Sequence, residues 1–102
     1  MQRIILHPEA RTEMFDAAVY YDDCRGELGS EFLDEVEAIF CLIKAHFEIG
    51  RMIGHSCRRM LLVRFPYGVI YRERGDILYV VAIMHLKREP GYWLDRIRET
   101  DL

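Results

Sequence analysis

Four residues near the C-terminal end of the chain could carry chemistry: His85, Lys87, Arg88 and Tyr92, within the run HLKREPGY. An imidazole takes or gives a proton near neutral pH. Two neighbouring cations can meet charge on a phosphate, and a phenol ring can stack on a base. A second set lies upstream. Arg58, Arg59 and Arg64 read as following one strand, where three guanidinium groups would hold phosphate oxygens or carboxylates. The same residues have plainer readings. His85 can be a strand-end histidine bonded within the fold, and Lys87 and Arg88 a solvated basic end. Tyr92 and Trp93 can be packing anchors, and the three arginines can pair with acidic helix side chains. The cysteines Cys24, Cys41 and Cys57 are scattered and odd in number, with no CxxC. Neither a disulfide framework nor a zinc site is expected, and nothing calls for a metal or cofactor.

The elements that must position these residues begin with the run from Arg58 to Trp93. Met60 to Phe65, Val69 to Tyr71 and Ile77 to Met84 are apolar, rich in β-branched and aromatic residues, and separated by Pro66-Tyr67-Gly68 and by Gly75-Asp76. Runs this short joined by such turns predict a three-stranded antiparallel meander. In the last run Ile77, Tyr79, Val81 and Ile83 should share one face, and Leu78, Val80, Ala82 and Met84 the other. Both faces are apolar, so both should be covered, by the domain itself or by a partner.

Ahead of the meander, Arg3 to His7 predicts a short strand stopped by Pro8. Proline followed by Glu9 suits a helix start. Ala10, Met14, Ala17, Ala18 and Tyr21 draw one apolar stripe, and the helix should end near Arg25-Gly26. A second helix from about Gly29-Ser30 carries Phe32, Val36, Ile39, Phe40, Ile43 and Phe47 on one face. Glu31, Asp34, Glu35, Glu37, Lys44 and Glu48 occupy its solvated face. Two helices joined so briefly predict a hairpin over one face of the sheet. Residues 49–56 read as a loop into the meander. The expectation is a single α+β domain spanning residues 1–102: a small antiparallel sheet with an α-helical hairpin on one face.

Charge is divided along the chain. Residues 1–50 hold 4 Lys/Arg against 11 Asp/Glu, and residues 51–102 hold 10 against 6. A basic sheet beside acidic helices suits an anionic partner such as nucleic acid or an acidic peptide. No signal-peptide pattern and no apolar stretch of membrane-spanning length is visible, so a soluble, cytoplasmic protein without membrane contact is expected.

Several motifs in this order resemble a known family. They are Pro8-Glu9-Ala10, Tyr20-Tyr21, Leu28-Gly29, Phe32-Leu33-Asp34-Glu35-Val36, Arg64-Phe65-Pro66-Tyr67-Gly68-Val69-Ile70-Tyr71, and His85 through Trp93. Together they make the chain similar to the RelE/ParE superfamily of type II toxin–antitoxin toxins, often called plasmid stabilisation proteins, and to its ParE-like members. The resemblance implies a growth-inhibiting toxin neutralised by a cognate antitoxin whose disordered segment folds onto it. Operator DNA is then contacted only through the antitoxin. It also implies one of two targets, DNA gyrase or mRNA on the ribosome. Arg58, Arg59, Arg64 and Trp93 are the expected antitoxin or target contacts. His85, Lys87, Arg88 and Tyr92 are catalytic candidates only if the chain is a metal-independent endoribonuclease. The mRNA-cleaving members place an arginine two or three residues before the tyrosine of the second meander strand. Here Gly68-Val69-Ile70 precede Tyr71, which favours a binding toxin over a nuclease. A member that binds antitoxin and operator without toxicity is the third reading.

Overall fold

Pro8 cannot donate to a ladder, so the first strand, β1 (Arg3–Leu6), stops before it and the first helix, α1 (Pro8–Cys24), begins there. The computed structural model describes residues 3–100. His7 caps α1, its Nδ1 accepting the Glu9 N–H at 3.0 Å. The second helix, α2 (Leu28–Ala45), has no cap from its own N-cap residue. Asp22 of α1 serves instead, its Oδ1 accepting the Gly29 N–H at 2.7 Å. Gly29 is required for a second reason: a Cβ there would run into the Ala18 carbonyl and the Asp22 carboxylate.

After α2 the chain makes one 3₁₀ turn (Phe47–Ile49) and enters β2 (Arg51–Gly54), in the stretch expected to be loop. Its hairpin partner is β3 (Cys57–Leu61), followed by β4 (Tyr67–Arg74) and β5 (Ile77–His85). The sheet therefore has five strands in the order β1-β5-β4-β3-β2. The three hairpin pairings are antiparallel, while β1 lies parallel to β5, with Arg3 opposite Ile77 and Leu6 opposite Val80. A final helix, α3 (Leu94–Thr100), follows the sheet.

The expected α+β architecture holds, but β1 runs parallel in a sheet expected to be antiparallel throughout, and two further corrections are local. The first meander run does not extend to Phe65. Pairing ends at Leu61, opposite Gly68, because Leu62 and Phe65 turn inward under the helices and are buried there. The second correction concerns the faces of β5. Ile70 pairs with Ala82, but the next residue, Tyr71, pairs with Val80, so Val81 is an extra residue in the strand. Such a bulge breaks strict alternation. Leu78, Val80 and Ile83 consequently pack together with the helices, whereas Val81, Ala82 and Met84 belong to the opposite face.

The helix-side core joins Ala10, Ala17, Ala18, Phe32, Val36, Ile39 and Ile43 to Val69, Tyr71, Leu78, Val80 and Ile83. Alanines on the α1 stripe let that helix lie close to the strands. Tyr71 is wholly buried, and its hydroxyl is fully used: it donates to the Phe47 carbonyl at 2.6 Å and accepts from the Gly50 N–H at 2.9 Å. On the other face, Trp93 and the C-terminal segment cover part of a smaller cluster of Cys57, Ile70, Val81, Ala82 and Met84. The two-sided apolar strand is thus explained from within the chain on one face and in part on the other.

Candidate functional site

The bulge at Val81 creates a local need. Pairing with β1 stops at Val80, so the backbone groups beyond it would be orphaned. Two charged side chains satisfy them. Glu13 of α1 accepts the Ile83 N–H on Oε1 at 3.0 Å, and Arg96 of α3 donates to the Val81 carbonyl at 3.0 Å. The two side chains also bond each other twice, at 2.9 and 2.7 Å. Burial disfavours the Arg96 charge, but the Glu13 carboxylate outweighs it and raises its pKa further above the usual arginine range.

Tyr92 is held by the same carboxylate, its hydroxyl donating to Glu13 Oε2 at 2.7 Å. Burial, then the Glu13 bond, push its phenol far above its ordinary value. Tyr92 is therefore a fixed donor and ring, not a base. The Arg88 guanidinium lies over that ring at 3.8 Å. His85 closes β5; its Nδ1 accepts the Lys87 N–H at 3.0 Å, and its ring meets Tyr67 edge-on at 4.9 Å. His85, Arg88 and Tyr92 come together in one cleft of about 370 Å³ between α1, the paired ends of β4 and β5, and the C-terminal segment. Lys87 is not part of its lining. Glu13, Asp16, Tyr20 and Tyr67 are; sequence reasoning took Tyr20 and Tyr67 only as family markers and did not single out Glu13 or Asp16, because nothing in local spacing distinguishes them.

The three upstream arginines do not follow one strand. Arg58 and Arg59 are adjacent on β3 and so point to opposite faces. Arg58 is built into the fold, donating to the carbonyls of Glu48 and Gly50 at 3.0 and 2.9 Å and lying over the Phe47 ring. Arg64 lies in the loop after β3 and bonds Glu31 at 2.5 Å, with Glu35 accepting the Val63 and Arg64 N–H groups beside it. The acidic face of α2 thus ties down this loop. Glu31 is held below the usual carboxylate range by its bond to Arg64. Arg59 alone of the three reaches the second sheet face. There it lines a cleft of about 270 Å³ with Ile53, Ile70, Met84, Trp93 and Leu94. Arg51 sits directly across from it on β2. Trp93 is almost wholly buried, a packing residue that shows only one side to this cleft.

Gly68 occupies the same face. A Cβ there would come within 3.2 Å of the Arg59 Cγ and Cδ, so a side chain at 68 would press on the Arg59 stem. Among the described residues no group of three or more His, Cys, Asp or Glu is placed to hold a metal ion. No described helix is long and apolar enough to cross a membrane.

A helical hairpin on one face of a five-stranded sheet, with a basic, partly open second face, defines a small toxin-type α+β domain. The chain belongs to the ParE toxins of type II toxin–antitoxin systems: the family model described as the ParE toxin of the parDE system matches residues 4–90. Eight chains of solved structures are similar to it. One, described as the chromosomal ParDE TA system from P. aeruginosa, shares the fold with a TM-score of 0.64 at 18% identity, over 85% of this chain and 98% of that chain. No curated protein matches. Trp93 and Arg96 lie beyond the stretch that the family model matches.

Proposed function

We propose that the protein is a growth-inhibiting toxin that acts in the cytoplasm by binding its target, DNA gyrase, and that a cognate antitoxin neutralises it. The observation carrying this reading is the Arg59 stem packed over Gly68. An mRNA-cleaving relative would present an arginine at that strand position; here the residue is glycine, and a side chain would have to displace the Arg59 stem by a few tenths of an ångström. Two of the groups that could act as base or acid each have one atom engaged within the fold. His85 Nδ1 accepts a backbone N–H, and the Tyr92 hydroxyl is bound to Glu13. Losing one fixed donor to a developing charge typically costs on the order of a hundredfold in rate.

The antitoxin is proposed to lie on the second sheet face. Arg51 and Arg59 face each other across the β2–β3 pair, an arrangement of like charges that an acidic segment would relieve. The apolar cleft beside them would take its side chains. Of the residues anticipated from sequence, Arg59 and the side of Trp93 that lines the cleft are the contacts this reading keeps, while Arg58 and Arg64 are engaged in bonds to the chain's own carbonyls and to Glu31. Operator DNA would be reached through the antitoxin.

The test is to pulse the toxin in cells without its partner, map transcript 5′ ends, and assay supercoiling by purified gyrase in parallel. Growth arrest with inhibited supercoiling and intact transcripts is expected. Codon-phased cleavage with gyrase untouched would replace this reading with the ribosome-dependent nuclease. Normal growth at verified expression would leave only a non-toxic binder.

A further inference from the structure

The side of α1 that faces away from the sheet carries more apolar surface than a helix in water needs. Its core side is closed by Ala10, Ala17 and Ala18, yet Phe15 is 46% exposed and Val19 60%. Four residues apart, the two stand on one ridge of the helix. Beside them Met14, Leu33 and Phe40 are only partly buried, and with Phe15 they line a groove of about 180 Å³ between α1 and α2. A surface of this kind calls for a cover.

The ridge runs into charge in both directions. Arg11 stands four residues before Phe15, and Asp23 four residues after Val19. Both are exposed, and neither makes an ion pair among the described residues. The order along the helix is therefore cation, apolar, apolar, anion, and residue 17 is the midpoint of the charged pair and of the apolar pair alike. Such an order is its own complement when reversed. Where a second α1 crosses antiparallel, centre over centre, Phe15 of each copy meets Val19 of the other. Arg11 then meets Asp23 at both ends. At 1.5 Å per residue the charges lie about 9 Å either side of the centre, a polar rim around an apolar middle.

We infer that the chain pairs with a second copy of itself through this ridge, the two α1 helices crossing antiparallel about a two-fold axis at the level of Ala17. A two-fold interface must be self-complementary, and a row at four-residue intervals is the ridge along which helices most often pack. An acidic peptide or a nucleic acid suits this side poorly, since residues 1–50 hold 11 Asp/Glu against 4 Lys/Arg. The apolar centre is small, so the pairing is weak, with a dissociation constant on the order of 10 μM. It leaves the second sheet face open, so each copy in the pair remains able to take an antitoxin there. It depends on neither the toxin's target nor the antitoxin's position.

Sedimentation equilibrium of the full chain, from about 1 to about 500 μM, should show a reversible doubling of mass. Val19→Glu, a change of an exposed side chain, should weaken the pairing by about tenfold or more with circular dichroism unchanged. Two charge reversals then test the arrangement. Arg11→Glu and Asp23→Lys each suit the dipole of the helix half they occupy, so the fold should be kept. Alone, either change sets like charges against each other at both ends and should weaken self-pairing several-fold. Mixed, the two variants present opposite charges at both ends and should prefer each other to themselves. A chain that stays monomeric at about 500 μM, a pairing that Val19→Glu leaves intact, or reversals that show no mutual preference would overturn the proposal. So would a free toxin that stays monomeric while Val19→Glu abolishes antitoxin binding, an outcome that assigns the ridge to the antitoxin.

Discussion

Glu13 and Arg96, 83 residues apart in the chain, close on each other through two hydrogen bonds of 2.9 and 2.7 Å at the point where β5 bulges. Each also satisfies one backbone group that the bulge would leave bare. This pair joins the first helix, the fifth strand and the last helix, and it sets the wall on which Tyr92 and Arg88 rest.

The costs of removing the two members should therefore not add. Arg96→Met leaves a part-buried carboxylate and an unpaired carbonyl, and a loss of about 3 kcal/mol is expected. The double change Glu13→Gln with Arg96→Met should cost less than the two single changes combined. Urea unfolding of the three variants measures this, and strict additivity would show that the pair is not coupled.

Gly29 should tolerate no side chain. Gly29→Ala must push α2 away from the Ala18 carbonyl and the Asp22 cap, so a loss of roughly 2 kcal/mol or more is expected despite the better helix propensity of alanine. Gly26, with nothing within 4 Å of a Cβ, is the control and should change little. Thermal unfolding of the two variants side by side separates these outcomes.

Arg58→Ala and Arg59→Ala should part company. The first loses two carbonyl contacts and the Phe47 ring, so the melting temperature should fall by several degrees. The second should leave it nearly unchanged while weakening antitoxin binding several-fold, more so at low salt, since screening acts over roughly 10 Å at 0.1 M. Equal effects of both changes on folding and on binding would contradict the division of labour between the faces.

Alkaline conditions should loosen the fold. Burial pushes the Cys57 thiol up from 9.0 to about 11, and burial also raises Tyr67, Tyr71 and Tyr92 above their ordinary values. Groups that hold protons more tightly when folded contribute stability that is complete below their ordinary pKa and lost as pH rises toward the folded value. Unfolding free energy should thus be flat near neutrality and fall between pH of about 9 and about 11. In the same window, thiol reagents should label exposed Cys24 and Cys41 readily and Cys57 only after unfolding.

What the chain dictated by itself was local. The stripe Ala10, Met14, Ala17, Ala18 and Tyr21 on α1, and Phe32, Val36, Ile39 and Ile43 on α2, mark the core-facing sides correctly because helix periodicity is a property of neighbouring residues. The β-branched runs and their turns placed β4 and β5 for the same reason. Tertiary structure decided what depends on partners distant in sequence. The Val81 bulge exists because β4 and β5 slip by one residue, and no repeat in either strand announces it. β2 is a strand because β3 offers it a ladder, and β1 finds its parallel partner in β5, more than seventy residues away in the chain. Arg58 and Arg59 look alike in sequence, yet strand geometry sends one into the fold and the other to the open face. His85, Arg88 and Tyr92 were legible as neighbours, but the carboxylate that holds Tyr92 and the rings that complete their cleft come from α1 and β4, and only packing could bring them there.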